Sequence, residues 1–314
     1  MDAARSAAVL ALVALLGACG SPLIGDSPEV LPAAVNAPRE TTVVIGSVGD
    51  DAVEEVAALQ PFADALAQRL EGAGVQQGKV IVAPSMAEMT RLMDSGAVDL
   101  FIDSPYPALT VAQGAGAVPI LSRWKDGVSQ YRSVVFVRGD SAITTTDDLR
   151  GARIGFDDDF STSGYFLPKA ALVAAGLPMS AMPTPTSEVP AGELGYSFTE
   201  DDENTLFWVM EGRVEAGAMS ENELRELAAD DFASLRILAT SPMVPRQIVV
   251  RARHLTPKLV TAMATALTSM HEDNAGVAVL ADFQETTRFE LLDEATSTQL
   301  STLIGQVPPA PSTG

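Results

Sequence analysis

Apolar residues recur along this chain with two alternating periods, one of two residues and one of between three and four. The run TTVVIGSV, residues 41–48, is β-branched and bounded by Gly, which predicts a strand. Pro61 then predicts the start of a helix carrying Phe62, Leu66 and Leu70 at four-residue spacing, closed by Gly72 and Gly74. KVIVAP predicts a second strand. Ser85 and Glu88 form a capping-box pair for a helix carrying Met86, Met89, Leu92 and Met93, which stops at Gly96. AVDLFID reads as a third strand, residues 106–113 as a short helix and AVPILSR as a fourth strand. Strands alternating with helices imply a doubly wound, mostly parallel sheet, and ligands of such sheets sit at the carboxyl ends of the strands.

The middle of the chain continues the alternation. YRSVVFVR (131–138) and ARIGF (152–156) are strands flanking a TTTDDL helix start, and YFLPKAALVAAG is an apolar helix that Pro168 kinks. ENTLFWVMEG predicts a helix and RVEAGAM a strand, Ser220 with Glu223 makes a second capping box, and SLRILA is one more strand. RQIVVRARHLTP leads through Thr256 and Pro257 into a helix around Val260, Met263 and Leu267. The element string predicts an α/β chain of two lobes, each a mostly parallel sheet with flanking helices. Lobe 1 takes residues 41–136 and 241–306, and lobe 2, residues 137–240, is inserted between them. Two lobes joined by two crossings hold a ligand cleft between them, and closure on the ligand is a hinge motion.

The N-terminal segment changes the picture of where such a chain works. Arg5 precedes an apolar run over residues 7–16 that is too short to span a bilayer and ends in LGAC. This resembles a bacterial lipoprotein signal, in which residues 1–18 are cleaved and Cys19 becomes the lipidated first residue. Residues 20–40, rich in Pro, Ser and Ala, then read as a flexible tether, and VPPAPSTG (307–314) as an unstructured tail. The expected location is the periplasmic or extracytoplasmic face of a bacterial membrane, anchored through Cys19 without crossing. Cys19 is the single cysteine, which excludes an intrachain disulfide and a Cys-based metal site.

Composition narrows the partners. A chain of 314 residues with 47% hydrophobic content can bury a large core. Its 41 acidic against 20 basic side chains give a net charge of −21, which argues against nucleic acid or an anionic membrane face as a partner. Loss of residues 1–18 removes one Arg and one Asp and leaves that charge unchanged.

The candidate chemistry centres on GFDDDFSTSGYFLP, residues 155–168. A strand end followed by Ser161, Thr162, Ser163, Gly164 and a helix offers free backbone N–H groups, hydroxyl donors and the positive end of a helix dipole, which suit a phosphate, phosphonate or carboxylate group. An ordinary N-cap explains one hydroxyl equally well. Three in a row, with a Gly that lets a ligand approach the backbone, leave both readings standing.

The stretch YRSVVFVRGDSAITTTDDLRGARIGFDDDFSTSGYFLP resembles the phosphate/phosphite/phosphonate-binding family of periplasmic solute-binding proteins, the extracytoplasmic component of ABC importers. The resemblance rests on the Tyr-x-Ser strand, the GDS-to-DL-x-G connector and the D-to-STSGY-x-LP cradle. It continues more weakly through VDLFIDSPYPAL, NTLFWVMEGRVEAGAMSENEL and SPMVPRQIVVR. It implies the type II two-lobe periplasmic binding fold and an oxyanion held by the hydroxyls and amides of Ser161, Thr162 and Ser163. Gly164, Ser104, Tyr106 and Ser47 join these as candidate ligand contacts.

Two departures from the family pattern bear on the ligand. Asp103 and Ser104 stand where the family places an aromatic residue and a Gly, and Asp201, Asp202 and Glu203 stand where phosphonate binders can carry a His. Asp103 and Asp202 are therefore candidate site residues, and a cleft lined by carboxylates implies a zwitterion, or an anion with a cation. Asp157, Asp158 and Asp159 read as loop carboxylates facing water.

An enzyme is not expected. His254 and His271 are the two histidines, both in surface or capping positions, and no nucleophile elbow, zinc-ligand cluster, Walker loop or EF-hand spacing is present. No cofactor is implied. The leading expectation is a lipid-anchored binding protein that captures a small oxyanion or zwitterion for ABC permease subunits. The alternative is an envelope lipoprotein of the same fold that reports ligand to a signalling partner without transport.

Overall fold

The computed structural model describes residues 41–306 except Asp50 and Pro185. The expected signal segment 1–18, Cys19 with the tether to residue 40, and the tail 307–314 lie outside the described residues. The chain runs β1 (Thr42–Val48), α1 (Ala52–Arg69), β2 (Gln77–Ala83), α2 (Met86–Asp94), β3 (Leu100–Asp103), α3 (Pro105–Ala115) and β4 (Val118–Lys125). It continues through β5 (Gln130–Tyr131), β6 (Ser133–Arg138), β7 (Arg153–Phe156), α4 (Leu167–Ala174), β8 (Met179–Ala181) and β9 (Leu194–Phe198). Next come α5 (Asp202–Met210), β10 (Ala216–Ser220), α6 (Glu221–Ala228), β11 (Leu235–Thr240), β12 (Val244–Pro245) and β13 (Gln247–Arg251). The described chain closes with α7 (Pro257–Ser269), α8 (Asn274–Asp282), β14 (Thr286–Leu291) and α9 (Glu294–Ile304).

These strands form two six-stranded sheets, ordered β14-β4-β13-β3-β1-β2 and β11-β6-β10-β7-β9-β8. The first is parallel across β2, β1 and β3, with β13 antiparallel to both β3 and β4 and β14 antiparallel to β4. In the second, β8, β9, β7 and β10 run parallel and β6 runs against β10 and β11. Each sheet is covered by helices and buries its own core, Val43, Ile45, Phe62 and Leu66 on the first and Val137, Ile154 and Phe156 on the second. No helix among the described residues is long and apolar enough to cross a membrane.

β6 pairs with β10 and β11, so it belongs to the second sheet and the first crossing precedes residue 133, ahead of the expected boundary after residue 136. YRSVVFVR reads as one strand in sequence. In the fold it is divided, because β5 leaves to pair with β12 as a two-stranded ribbon carrying both crossings.

Pro61 corrects a second expectation, since it lies inside α1 and does not open it. The helix starts nine residues earlier because the Asp51 carboxylate accepts from the Val53 and Glu54 N–H groups, both at 3.0 Å. The carbonyl that Pro61 leaves without a helical donor is that of Ala57, which is exposed and open to water. Pro61→Ala is expected to raise stability by about 2 kcal/mol. The helix gains about 3 kcal/mol and the freer unfolded chain takes back up to about 1 kcal/mol, which a denaturant midpoint reads directly.

Candidate ligand-binding site

The turn after β7 is built by exclusion of a helical hydrogen bond. The Asp157 carbonyl accepts the N–H groups of Thr199 at 3.3 Å and Glu200 at 3.0 Å, which pins the loop beside the end of β9. Ser161 Oγ then accepts the Gly164 N–H at 3.0 Å as an N-cap. Residues Thr162–Phe166 wind as a π turn, in which Phe166 N–H reaches the Ser161 carbonyl and Leu167 N–H the Thr162 carbonyl. Pro168 comes next in that register and has no N–H, so the Ser163 carbonyl is satisfied from outside the helix, by Ser133 Oγ at 2.6 Å. The expected kink at Pro168 is thus a change from π turn to α-helix.

Gly164 serves Asp157. A Cβ on Gly164 would stand 2.5 Å from Asp157 Cβ and 2.9 Å from Ser161 Oγ, so the glycine lets the carboxylate press against the turn.

A pocket of about 250 Å³ opens where the two sheets face each other across the ribbon. Asp103, Ser104 and Pro107 line it from the carboxyl end of β3 and the start of α3, and Tyr131 and Arg246 line it from the crossings. The second sheet contributes Asp157, Asp158, Phe160, Ser161, Thr162, Ser163 and Asp202. Tyr131 is 4% exposed, and the Arg246 guanidinium lies 4.9 Å from its ring centroid.

The pocket is electrically polarised. On the second-sheet wall, burial and repulsion from Asp157, Glu223 and Glu203 push Asp202 up to about 8. Burial and the neighbouring Asp158 push Asp157 up to about 6 against the Ser161 hydrogen bond, and burial raises Asp158. Asp202 Oδ1 is buried with no hydrogen-bond partner among the described residues. On the opposite wall Asp103 is raised to about 6 by burial, while Arg246 stands with Arg123 and Lys125 behind it. Burial and the neighbouring Arg246 hold Arg123 down to about 9, still charged at neutral pH.

Of the residues expected at the site, Asp103, Ser104, Ser161, Thr162, Ser163 and Asp202 come together at this pocket. Ser47 does not line it, and its hydroxyl donates to Glu55 Oε2 at 2.7 Å. Tyr106 turns its ring onto Phe166, with centroids 4.4 Å apart, and Gly164 is buried beneath the turn. The expectation that residues 157–159 all face water is corrected for Asp157 and Asp158, while Asp159 is exposed. The reason is the long-range pinning of the Asp157 carbonyl, which no local pattern announces. Tyr131, Phe160 and Arg246 were not singled out from sequence. For Tyr131 the available signal was its place in the Tyr-x-Ser strand. His254 does not line the pocket, and its Nε2 lies 3.0 Å from Asp99 Oδ1.

Residues 49–296 match the family model described as ABC transporter, phosphonate, periplasmic substrate-binding protein. Among solved structures, XAC2383 from Xanthomonas citri, bound to chloride ion, superposes with a TM-score of 0.78 at 25% identity, over 85% of this chain and 97% of that one. PhnD1 from Prochlorococcus marinus, in complex with methylphosphonate, gives 0.58 at 15% identity over 84% and 97%. A binding protein component of an ABC phosphonate transporter from Pseudomonas aeruginosa gives 0.57 at 18% identity over 84% and 85%. The fold is that of the type II periplasmic binding proteins. With most of its length matched and its two sheets arranged in that fold, this chain belongs to the family of periplasmic substrate-binding proteins of phosphonate ABC transporters.

Proposed function

We propose that this chain is a lipid-anchored extracytoplasmic protein, held through Cys19, that captures a small phosphorus oxyanion of phosphonate, phosphite or phosphate type for an ABC importer. The solute sits between the two lobes, as an aminophosphonate-like zwitterion or as an anion accompanied by a cation. The observation that carries this reading is the polarised pocket, with Arg246 and Tyr131 on one wall and Asp157 and Asp202, beside the Ser163 hydroxyl, on the other. The first-turn amides behind Ser161 add to the oxyanion end. A carboxylate 4 Å from an anionic oxygen repels it by about 4 kcal/mol at an effective dielectric near 20. Arg246 offsets one such contact, and an ammonium group on the solute offsets the rest. The site binds and releases its solute without catalysis, and the permease subunits receive it.

The test is a thermal-shift panel of phosphate, phosphite, an alkylphosphonate and an aminoalkylphosphonate. A solute at a hundred times its Kd adds about 2.7 kcal/mol, about 5 °C in a chain of this size. The aminoalkylphosphonate is expected to give the largest shift, and Ser163→Ala with Arg246→Ala to abolish it. Silence across the panel overturns the reading.

A further inference from the structure

Thr162 sits in the middle of the hydroxyl-rich turn, yet its hydroxyl is spent between the two halves of the molecule. Thr162 is 2% exposed. Its Oγ1 accepts the Tyr106 N–H at 2.9 Å and donates to Ser104 Oγ at 2.9 Å. A hydroxyl has one proton to give, and here that proton goes to Ser104. Tyr106 is the second residue of α3, a position whose N–H has no acceptor within its own helix. The acceptor it uses comes from the other sheet. Ser104 is the N-cap of α3 but makes no side-chain capping bond, which leaves its Oγ to meet Thr162.

Packing repeats the same connection. Tyr106 and Phe166 stack with centroids 4.4 Å apart and rings 2° from parallel. Phe166 and Leu167, at the end of the π turn, are buried in the first-sheet core with Ala108, Leu109 and Ile248.

We infer that Thr162 is a positioning residue that ties the two halves together and sets how closely the pocket walls approach, and that it is not a ligand donor. The inference rests on the reading of a solute site between two lobes. Every group in the tie belongs to the protein, so the approach of the walls is stabilised without help from a solute. Solute binding then contributes less to closure and more to filling a pocket already shaped.

Amide hydrogen exchange of the full chain, with no solute added, tests this at the Tyr106 N–H. Protection is expected in the unaltered chain. Thr162→Val keeps the shape and removes the hydroxyl, and is expected to speed exchange at Tyr106 about fivefold or more, the factor a lost hydrogen bond is worth. Thr162→Ser restores protection, while the Val249 and Val250 amides of β13 report an intact fold throughout. A Tyr106 amide that is unprotected until a phosphonate is added overturns the inference, as does protection unchanged in Thr162→Val. If the valine variant does not fold, the measurement on the unaltered chain still decides. A protected Tyr106 amide beside a silent solute panel defeats the ligand reading and leaves the tie standing.

Discussion

Asp202→Asn is expected to make the chain more stable than the unaltered protein at pH 8, and to remove most of the loss of stability between pH 6 and pH 8. The folded state pushes this carboxyl up to about 8, first by burial and then by the charges of Asp157, Glu223 and Glu203. The unfolded chain releases the same proton near pH 4. Between those values the folded state binds a proton that the unfolded state has lost, so stability falls as pH rises. The contribution of Asp202 is fully present below about pH 4 and is lost as pH passes through 8. At about 1.4 kcal/mol per pH unit, roughly 2–3 kcal/mol disappears between pH 6 and pH 8. Asparagine keeps the shape and does not titrate, so this slope goes with it. Asp157 and Asp103, both raised to about 6, keep their own slopes between pH 4 and pH 6. Urea unfolding at pH 6, 7 and 8 reads the effect, and parallel curves for the two proteins would refute it.

Asp157→Asn combined with Asp202→Asn is expected to invert the charge preference of the pocket. Both residues line it on the second-sheet wall, where the lining residues include no cation. At pH 9, where both groups are ionised and where the titrations are run, removing two carboxylates relieves a plain alkylphosphonate of repulsion and deprives an aminoalkylphosphonate of its ammonium partners. If about 3 kcal/mol of the Coulomb energy is realised in each case, the alkylphosphonate binds about a hundredfold tighter and the aminoalkylphosphonate about a hundredfold weaker. Isothermal titration of both compounds against both proteins measures the two shifts. Movement of both affinities in one direction would contradict the assignment of Asp157 and Asp202 to the cationic end. A cation placed between these carboxylates lowers their pKa values, so binding near pH 7 is also expected to release protons, visible as a dependence of the heat on the buffer.

Much of this site was legible in short patterns. Ser85 and Ser220 both cap helices as their spacing to Glu88 and Glu223 implied, each accepting the N–H three residues on. Asp103 lies at the end of β3 and lines the pocket, as its place at a strand's carboxyl end suggested. Less legible were β8, β9 and β14, which are short or mixed in polarity and carry no clean alternation. Pro61 misled because proline punctuates sequence more strongly than it punctuates a helix whose proline side faces water.

What the sequence by itself determined was the alternation of strands and helices, the turn of Ser161 to Gly164 after a strand, and the acidic balance of the chain. Those follow from local periodicity, capping and composition, which act over a few residues. The tertiary structure alone decided that Asp157 faces the pocket, because its carbonyl is held by amides some forty residues further on. It also decided that the Thr162 hydroxyl bridges to Ser104 and Tyr106, nearly sixty residues before it. A hydroxyl or a carboxylate has the same chemistry in any loop. Which neighbour takes its hydrogen bond is fixed when distant segments are packed together, and that choice separates a ligand contact from a structural tie.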